Sequence, residues 1–295
     1  MAQSKRTTTA YARAWERFEA WARDQGVAPL PASPAFVATY IAHLDAEGLK
    51  PSSIDVALAA IADRHDAAGV LSPRSAPEVK AVRSGLRRLR GTAPEQKAAI
   101  TPAQLRSMVR DLPEGLRGKR DRALLLVGFA SGMRRSELVA LDVGDMRFVD
   151  GGLEVTIRRS KTDQEGVSRI VAVHRGSFEE TCPVRALRAW LEASAITQGP
   201  LWQGFTGKGS AGLSGVRLHD RDVARVVQRA AAAAGMDPRT VAGHSLRAGF
   251  ATAAASVGAQ VHEIAEVTGH KTDGMVRRYI RQGRRFAKNP LAGAL

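Results

Sequence analysis

Apolar positions recur at helical spacing through the first 90 residues. Tyr11, Trp15, Phe18 and Ala22 lie four, three and four residues apart, with Trp21 alongside. This predicts a helix about four turns long, capped by Thr7 or Thr8. Ser33-Pro34 marks a second start, with Phe36, Val37, Tyr40, Ile41 and Leu44 on its apolar face and Gly48 as its stop. A third helix follows Pro51-Ser52-Ser53 and carries Ile54, Leu58, Ile61 and His65 on one side. A fourth runs from Pro77 and is expected to bury Val79, Val82, Leu86 and Leu89. Four short amphipathic helices hide their stripes only by packing together, so residues 1–92 read as a helical bundle. Its aromatic residues read as core.

Residues 93–98 lack this periodicity and read as a linker. A second domain, 99–295, opens at Thr101-Pro102, with Thr101 as cap and Pro102 at the first helical position. Residues 123–130 are apolar nearly all round and predict a central buried helix. Leu153, Val155 and Ile157 alternate with polar residues, and Val171 and Val173 do so again after Ile170. These are two adjacent antiparallel strands. Helices are expected at about 183–195, 219–234, 246–257, 260–268 and 272–280, whereas 199–215 is glycine-rich and reads as loop. The fold class is therefore mainly α, a helical bundle followed by a mixed α/β domain with a small antiparallel sheet.

Charge sharpens this picture. The chain of 295 residues carries a formal net charge of +15. Residues 1–95 hold 13 Lys/Arg against 10 Asp/Glu, a net of +3; residues 96–295 hold 31 against 19, a net of +12. Such a surface attracts polyanions before any specific contact forms. The fourth helix adds Lys80, Arg83, Arg87 and Arg90 as a stripe opposite its apolar face; alone it would read as a solvated face, but beside so basic a second domain it reads as a set of DNA phosphate contacts. No apolar run reaches membrane-spanning length, and the first residues lack the apolar middle of a secretory signal, so a cytoplasmic location is expected. Cys182 is the single cysteine, which excludes an internal disulfide and a cysteine-based zinc site.

The second domain also holds the residues that attack on a phosphodiester without metal requires. Arg134 and Arg247 can each grip phosphate through a planar fork of donors. Lys161 can protonate a leaving oxygen, and His244 and His270 can exchange protons near neutral pH. Tyr279 can form a phosphotyrosine bond, although a phenol ionises near pH ~10 and needs an activating environment. Each signal alone is weak. Their spacing adds to them: His244 and Arg247 share a face if a helix begins there, and Glu137, three residues after Arg134, can orient or neutralise a basic neighbour. Arg135 reads as a surface residue or a phosphate contact. No cofactor and no metal are expected.

The segments Ser131-Gly-Met-Arg134-Arg-Ser-Glu137-Leu, Lys161-Thr, Gly243-His244-Ser-Leu-Arg247-Ala-Gly, Thr268-Gly-His270 and Tyr279 resemble the tyrosine recombinases, also called phage integrases. The resemblance covers nearly the whole chain, and the layout is closer to the Cre recombinase and related bacterial integrases than to the lambda type, with no arm-binding domain before the first bundle. It implies a core-binding domain over 1–92 and a catalytic domain over 99–295, closing on double-stranded DNA as a clamp. It implies that Arg134, Arg247 and His270 hold the scissile phosphate, that Lys161 is the general acid and that His244 is the acid–base partner of Tyr279, with Glu137 structural. It further implies strand cleavage through a 3′-phosphotyrosine link, rejoining to a partner duplex, a homo-oligomer that forms a tetrameric synapse on DNA, and a carboxy-terminal tail helix that docks on a neighbouring protomer. An accessory protein is possible in this family. A nicking-closing topoisomerase and a non-catalytic sequence-specific DNA-binding protein are the competing readings; neither charge nor a bundle alone explains Lys161, His244, Arg247, His270 and Tyr279 together.

Overall fold

The computed structural model of the chain describes residues 5–90, 97–158, 168–207, 212–270 and 272–283. The chain divides into two compact units, Met1–Gln96 and Lys97–Leu295. Among the described residues no helix is long and apolar enough to cross a membrane.

The first unit is a bundle of α1 (Lys5–Asp24), α2 (Pro34–Ala46), α3 (Pro51–Ala67) and α4 (Pro77–Arg90). The Ser33 hydroxyl accepts from the Phe36 amide at 3.2 Å, and Pro34 starts α2 at the position where its missing N–H costs nothing. Phe18, Tyr40, Ile41, Leu44, Leu58, Ile61 and Val79 close the core. The aromatic residues of α1 pack into it: Phe18 lies 4.9 Å from Tyr40 and Trp21 4.6 Å from Phe36, ring centre to ring centre. Buried His65 pins the α1–α2 connection. Its Nδ1 donates to the Ile61 carbonyl at 2.7 Å, so Nε2 accepts from the Ala32 amide at 3.0 Å.

The last turn of α4 departs from expectation. Leu89 is 83% exposed, because the apolar contacts of α4 end near Leu86 and Arg90 instead turns to Asp45 on α2. The basic stripe is also partly spent within the bundle. Arg83 and Arg87 donate to the two oxygens of Asp55 on α3, at 2.6 and 2.5 Å, while Lys80 is exposed. Burial raises the Asp55 pKa, but the two guanidiniums outweigh it and the net shift is downward.

The second unit begins with α5 (Pro102–Arg110), closed by a reciprocal cap between Thr101 and Gln104. The buried helix α6 (Leu116–Ala130) runs through its centre, followed by α7 (Arg135–Ala140). Next comes a three-stranded antiparallel sheet of β1 (Met146–Val149), β2 (Gly152–Ile157) and β3 (Arg169–His174), in that order. Leu153 pairs with Val173 and Val155 with Val171, which sends these side chains to one buried face. The expected strands are β2 and β3; β1 is an addition, and its four residues are too few to show alternation.

Helix α8 (Pro183–Ser194) packs on α6. The stretch expected as loop instead contains a hairpin, β4 (Gln203–Thr206) and β5 (Gly212–Arg217). Glycines occupy positions where alternating side chains would have signalled strands, and Arg217 anchors the hairpin by donating to the Val139 and Leu141 carbonyls at 2.8 and 2.9 Å. Helices α9 (Asp220–Ala233), α10 (His244–Ser256), α11 (Val261–Thr268) and α12 (Asp273–Gly283) complete the unit. Helix α12 lies against α10 and α11 over a small apolar cluster of Ala251, Ala255, Ile264 and Val276.

Candidate active site

Three chain reversals build the floor of the site. At the end of α6, Gly132 takes φ +57°, and a Cβ there would lie 2.8 Å from the Phe250 ring and 2.9 Å from the Thr268 methyl. Only glycine meets both demands, since the left-handed region is costly for other residues. The turn delivers Arg134 to the N-terminus of α7. Gly243, before α10, has ordinary φ but no room: the Arg135 side chain crosses it, 2.2 Å from where a Cβ would stand. Gly269, after α11, takes φ +65° and lies over the Arg169 guanidinium.

Glu137 is the electrostatic keystone. It is 2% exposed, accepts from the Arg134 backbone amide at 2.9 Å and from Arg134 Nη1 at 2.7 Å, and binds Arg169 Nη2 at 3.2 Å. Arg134 Nη2 reaches on to the Gly269 carbonyl at 3.0 Å. Arg247, on the first turn of α10, is also 2% exposed, and its Nη1 donates to the carbonyls of Gly132 and Thr268. Both bonds use one nitrogen, and its other N–H groups donate to no partner among the described residues. Burial, then the neighbouring Arg134, lowers the Arg247 pKa to about 10. It is still a cation at neutral pH.

Across this floor stand the histidines and the tyrosine. His244 begins α10, and its Nε2 lies 3.0 Å from the Tyr279 hydroxyl of α12. The His270 ring centre is 5.9 Å from that of Tyr279, which is half-buried against the α10–α11 cluster. Both histidines are shifted downward. For His244 the causes are the protein packed around a ring that still opens to solvent, then Arg247, Arg135 and Arg134. For His270 burial, Arg247 and Arg134 bring the value to about 4. Three guanidiniums against one buried carboxylate leave the pocket with excess positive charge, a setting in which an anion is stabilised and neutral imidazole is favoured.

Arg134, His244, Arg247, His270 and Tyr279 thus converge, with Glu137 beneath them. Lys161 lies outside the described residues. Arg135 sits at the rim, 4.0 Å from Asp220, and Lys80, Arg83, Arg87 and Arg90 belong to the other unit. The sequence reading missed Arg169. It looks like an ordinary strand-edge arginine beside Ile170, and only the fold shows that its Nη1 ties the Val267 carbonyl at 2.6 Å while Nη2 reaches Glu137. The Arg169 pKa is lowered, chiefly by burial. Among the described residues no three His, Cys, Asp or Glu side chains stand together as a metal-binding group.

Comparison with known proteins matches this architecture. The profile of the "Phage integrase family" fits residues 98–284. The chain is 38% identical over 290 residues to the "Integrase/recombinase xerD homolog" of Selenomonas ruminantium, covering 97% of this chain and 84% of that protein. It is 30% identical over 155 residues to "Tyrosine recombinase XerC" of Pelotomaculum thermopropionicum, a match that spans 52% of this chain and 46% of the relative, about half its length. The fold is similar to that of a lambda integrase (75–356) dimer bound to a COC′ core site, with a TM-score of 0.65 at 19% identity, covering 98% of this chain and 94% of that one.

Proposed function

The chain belongs to the phage integrase family of tyrosine recombinases, and on that premise we propose that it recombines double-stranded DNA at specific sites with Tyr279 as the nucleophile. The observation that carries the residue assignment is the 3.0 Å approach of His244 Nε2 to the Tyr279 hydroxyl beside the Arg134–Arg247 pocket. The lowered His244 pKa favours its neutral form at neutral pH, and a neutral imidazole can accept the phenolic proton. The Tyr279 oxygen attacks phosphorus, a 3′-phosphotyrosine bond forms and the P–O5′ bond breaks. The departing 5′ oxygen takes a proton, for which Lys161 is the proposed donor.

Arg134 and Arg247 meet the charge that builds on the non-bridging oxygens, as fixed donors that need no reorganisation during the step. A 5′-hydroxyl from a partner duplex then attacks the phosphotyrosine, re-forming the phosphodiester and returning the proton to Tyr279. The bond energy is conserved in the covalent link. The strand exchange calls for a homo-oligomer on DNA, and we place the working form as a tetramer on two sites, acting in the cytoplasm. The core-binding role of the first unit, with Lys80, Arg83, Arg87 and Arg90 as phosphate contacts, belongs to the same reading, as does a phosphate contact by Arg135 of the second unit.

The deciding test is trapping on a nicked DNA substrate that releases its short 5′ fragment. Wild-type protein should give a 3′-phosphotyrosyl adduct; Tyr279→Phe should give none while keeping DNA affinity within about threefold, because a single hydroxyl adds little to a binding free energy dominated by phosphate contacts. A normal adduct in the Phe variant would reject Tyr279. An adduct that re-ligates only within its own duplex, with no product from two sites, would indicate a nicking-closing enzyme.

A further inference from the structure

Thr268, the last residue of α11, is fully buried next to the site and has no part in the chemistry above. Its Oγ1 lies 2.5 Å from the Ile264 carbonyl and 2.6 Å from His270 Nδ1. A carbonyl can only accept, so the hydroxyl hydrogen points to Ile264. The lone pairs of Oγ1 then face Nδ1, and that contact is a hydrogen bond only if Nδ1 carries a hydrogen. The left-handed turn at Gly269 brings the ring back over the end of its own helix and makes this meeting possible.

We propose that Thr268 is a positioning residue that fixes His270 as the Nδ1–H tautomer, so that His270 can donate to a DNA phosphate from Nε2 only after taking up a proton. In the neutral Nδ1–H form Nε2 presents a lone pair, which repels a phosphate oxygen. The groups that set the balance are Arg247 and His244 from α10, Arg134 from the cap of α7, Arg169 from β3 and Tyr279 from α12, with Glu137 paired to Arg134 and Arg169 behind them. In the free protein burial and these cations hold His270 neutral at pH 7, with a pKa of about 4. A phosphodiester brings the opposing charge and raises it. Phosphate binding at this pocket is therefore coupled to uptake of a proton on His270.

This coupling rests on the phosphodiester reading of the site, but the tautomer is a property of the free protein and is tested separately. Long-range 1H–15N correlation spectra of histidine-labelled wild-type protein at pH 7 should show His270 with Nδ1 protonated and Nε2 bare. Thr268→Ser should keep that pattern, and Thr268→Val, which retains shape but loses the acceptor, should shift the ring towards Nε2–H. An Nε2–H wild-type ring, or an unmoved one in the Val variant, overturns the proposal. The wild-type spectrum decides the tautomer even if the Val variant fails to fold. Affinity for target DNA supplies the second readout. Linkage to one proton caps the effect at about tenfold per pH unit. Wild type and Thr268→Ser should lose about fivefold or more in affinity between pH 6 and 8 beyond any loss in Thr268→Val. Equal pH dependence in all three proteins, with the tautomer changed as expected, overturns the coupling. Loss of the covalent adduct assignment to Tyr279 would leave the tautomer result standing.

Discussion

At the scale of single residues, the site is an exercise in holding like charges together. Glu137 is the one buried carboxylate that Arg134 and Arg169 share, so Glu137→Gln keeps shape and some hydrogen bonding but removes the charge that offsets two guanidiniums. Breaking one side of a buried ion pair costs on the order of 3 kcal/mol. Denaturant unfolding should register a loss of about that size, and cleavage should fall further than DNA binding because Arg134 loses its orientation; unchanged stability would remove Glu137 from this role. Lys161 calls for a chemical test. If it protonates the leaving 5′ oxygen, Lys161→Ala should slow cleavage by roughly 100-fold to 10,000-fold while binding is largely kept. A bridging 5′-phosphorothiolate, which leaves without a proton, should restore much of that rate in the variant and change the wild type little. Equal response of the two proteins would make Lys161 a phosphate or structural contact.

At the scale of elements, the sequence announced what local chemistry controls and missed what register controls. The Ser33 and Thr101 caps and the prolines after them placed the starts of α2 and α5 to the residue, because capping is local. The apolar stripe of α1 placed the helix but not its start, which lies at Lys5, so Thr7 and Thr8 stand inside the helix and do not cap it. The His244-Ser-Leu-Arg247 spacing was equally legible once a helix begins at His244. Arg169 was invisible because its meaning depends on where β3 begins relative to α11, and β4–β5 was hidden by glycines. The basic stripe of α4 was read from spacing alone, without the acidic residues on α2 and α3 that face it. This suggests a measurement on Asp55. Its lowered pKa contributes stability that is present above about pH 4, the unfolded carboxyl value, and is lost as pH falls through the lower folded value. Asp55→Asn should cost about 1 kcal/mol at pH 7, since the three side chains are partly solvated, and the difference from wild type should vanish at strongly acidic pH. If α4 faces DNA, releasing Arg83 and Arg87 should also tighten DNA binding and steepen its salt dependence; lower stability with unchanged salt dependence would confine these arginines to the bundle.

At the scale of the whole molecule, charge and chemistry point to assembly on a polyanion. The net +12 of residues 96–295 favours initial attraction to DNA, while a reaction that joins two duplexes needs more than one active site. Residues 284–295 lie outside the described residues, but their sequence runs from Arg284 and Arg285 through Phe286 to Pro290, Leu291 and Leu295, a charged start and an apolar end. Apolar side chains gain from burial against another surface, and we propose a neighbouring protomer of the oligomer on DNA as that surface. Deleting residues 284–295 leaves Tyr279 and all of α12 in place, so the single-site complex should form with nearly wild-type affinity. Cooperative loading of two protomers on one site, and pairing of two sites, should weaken first, seen by size analysis on DNA as loss of the larger species before the monomer complex. Cleavage on a single trapped site should then outlast recombination between two sites. Full cooperativity and recombination in the truncated protein would assign the docking to another surface.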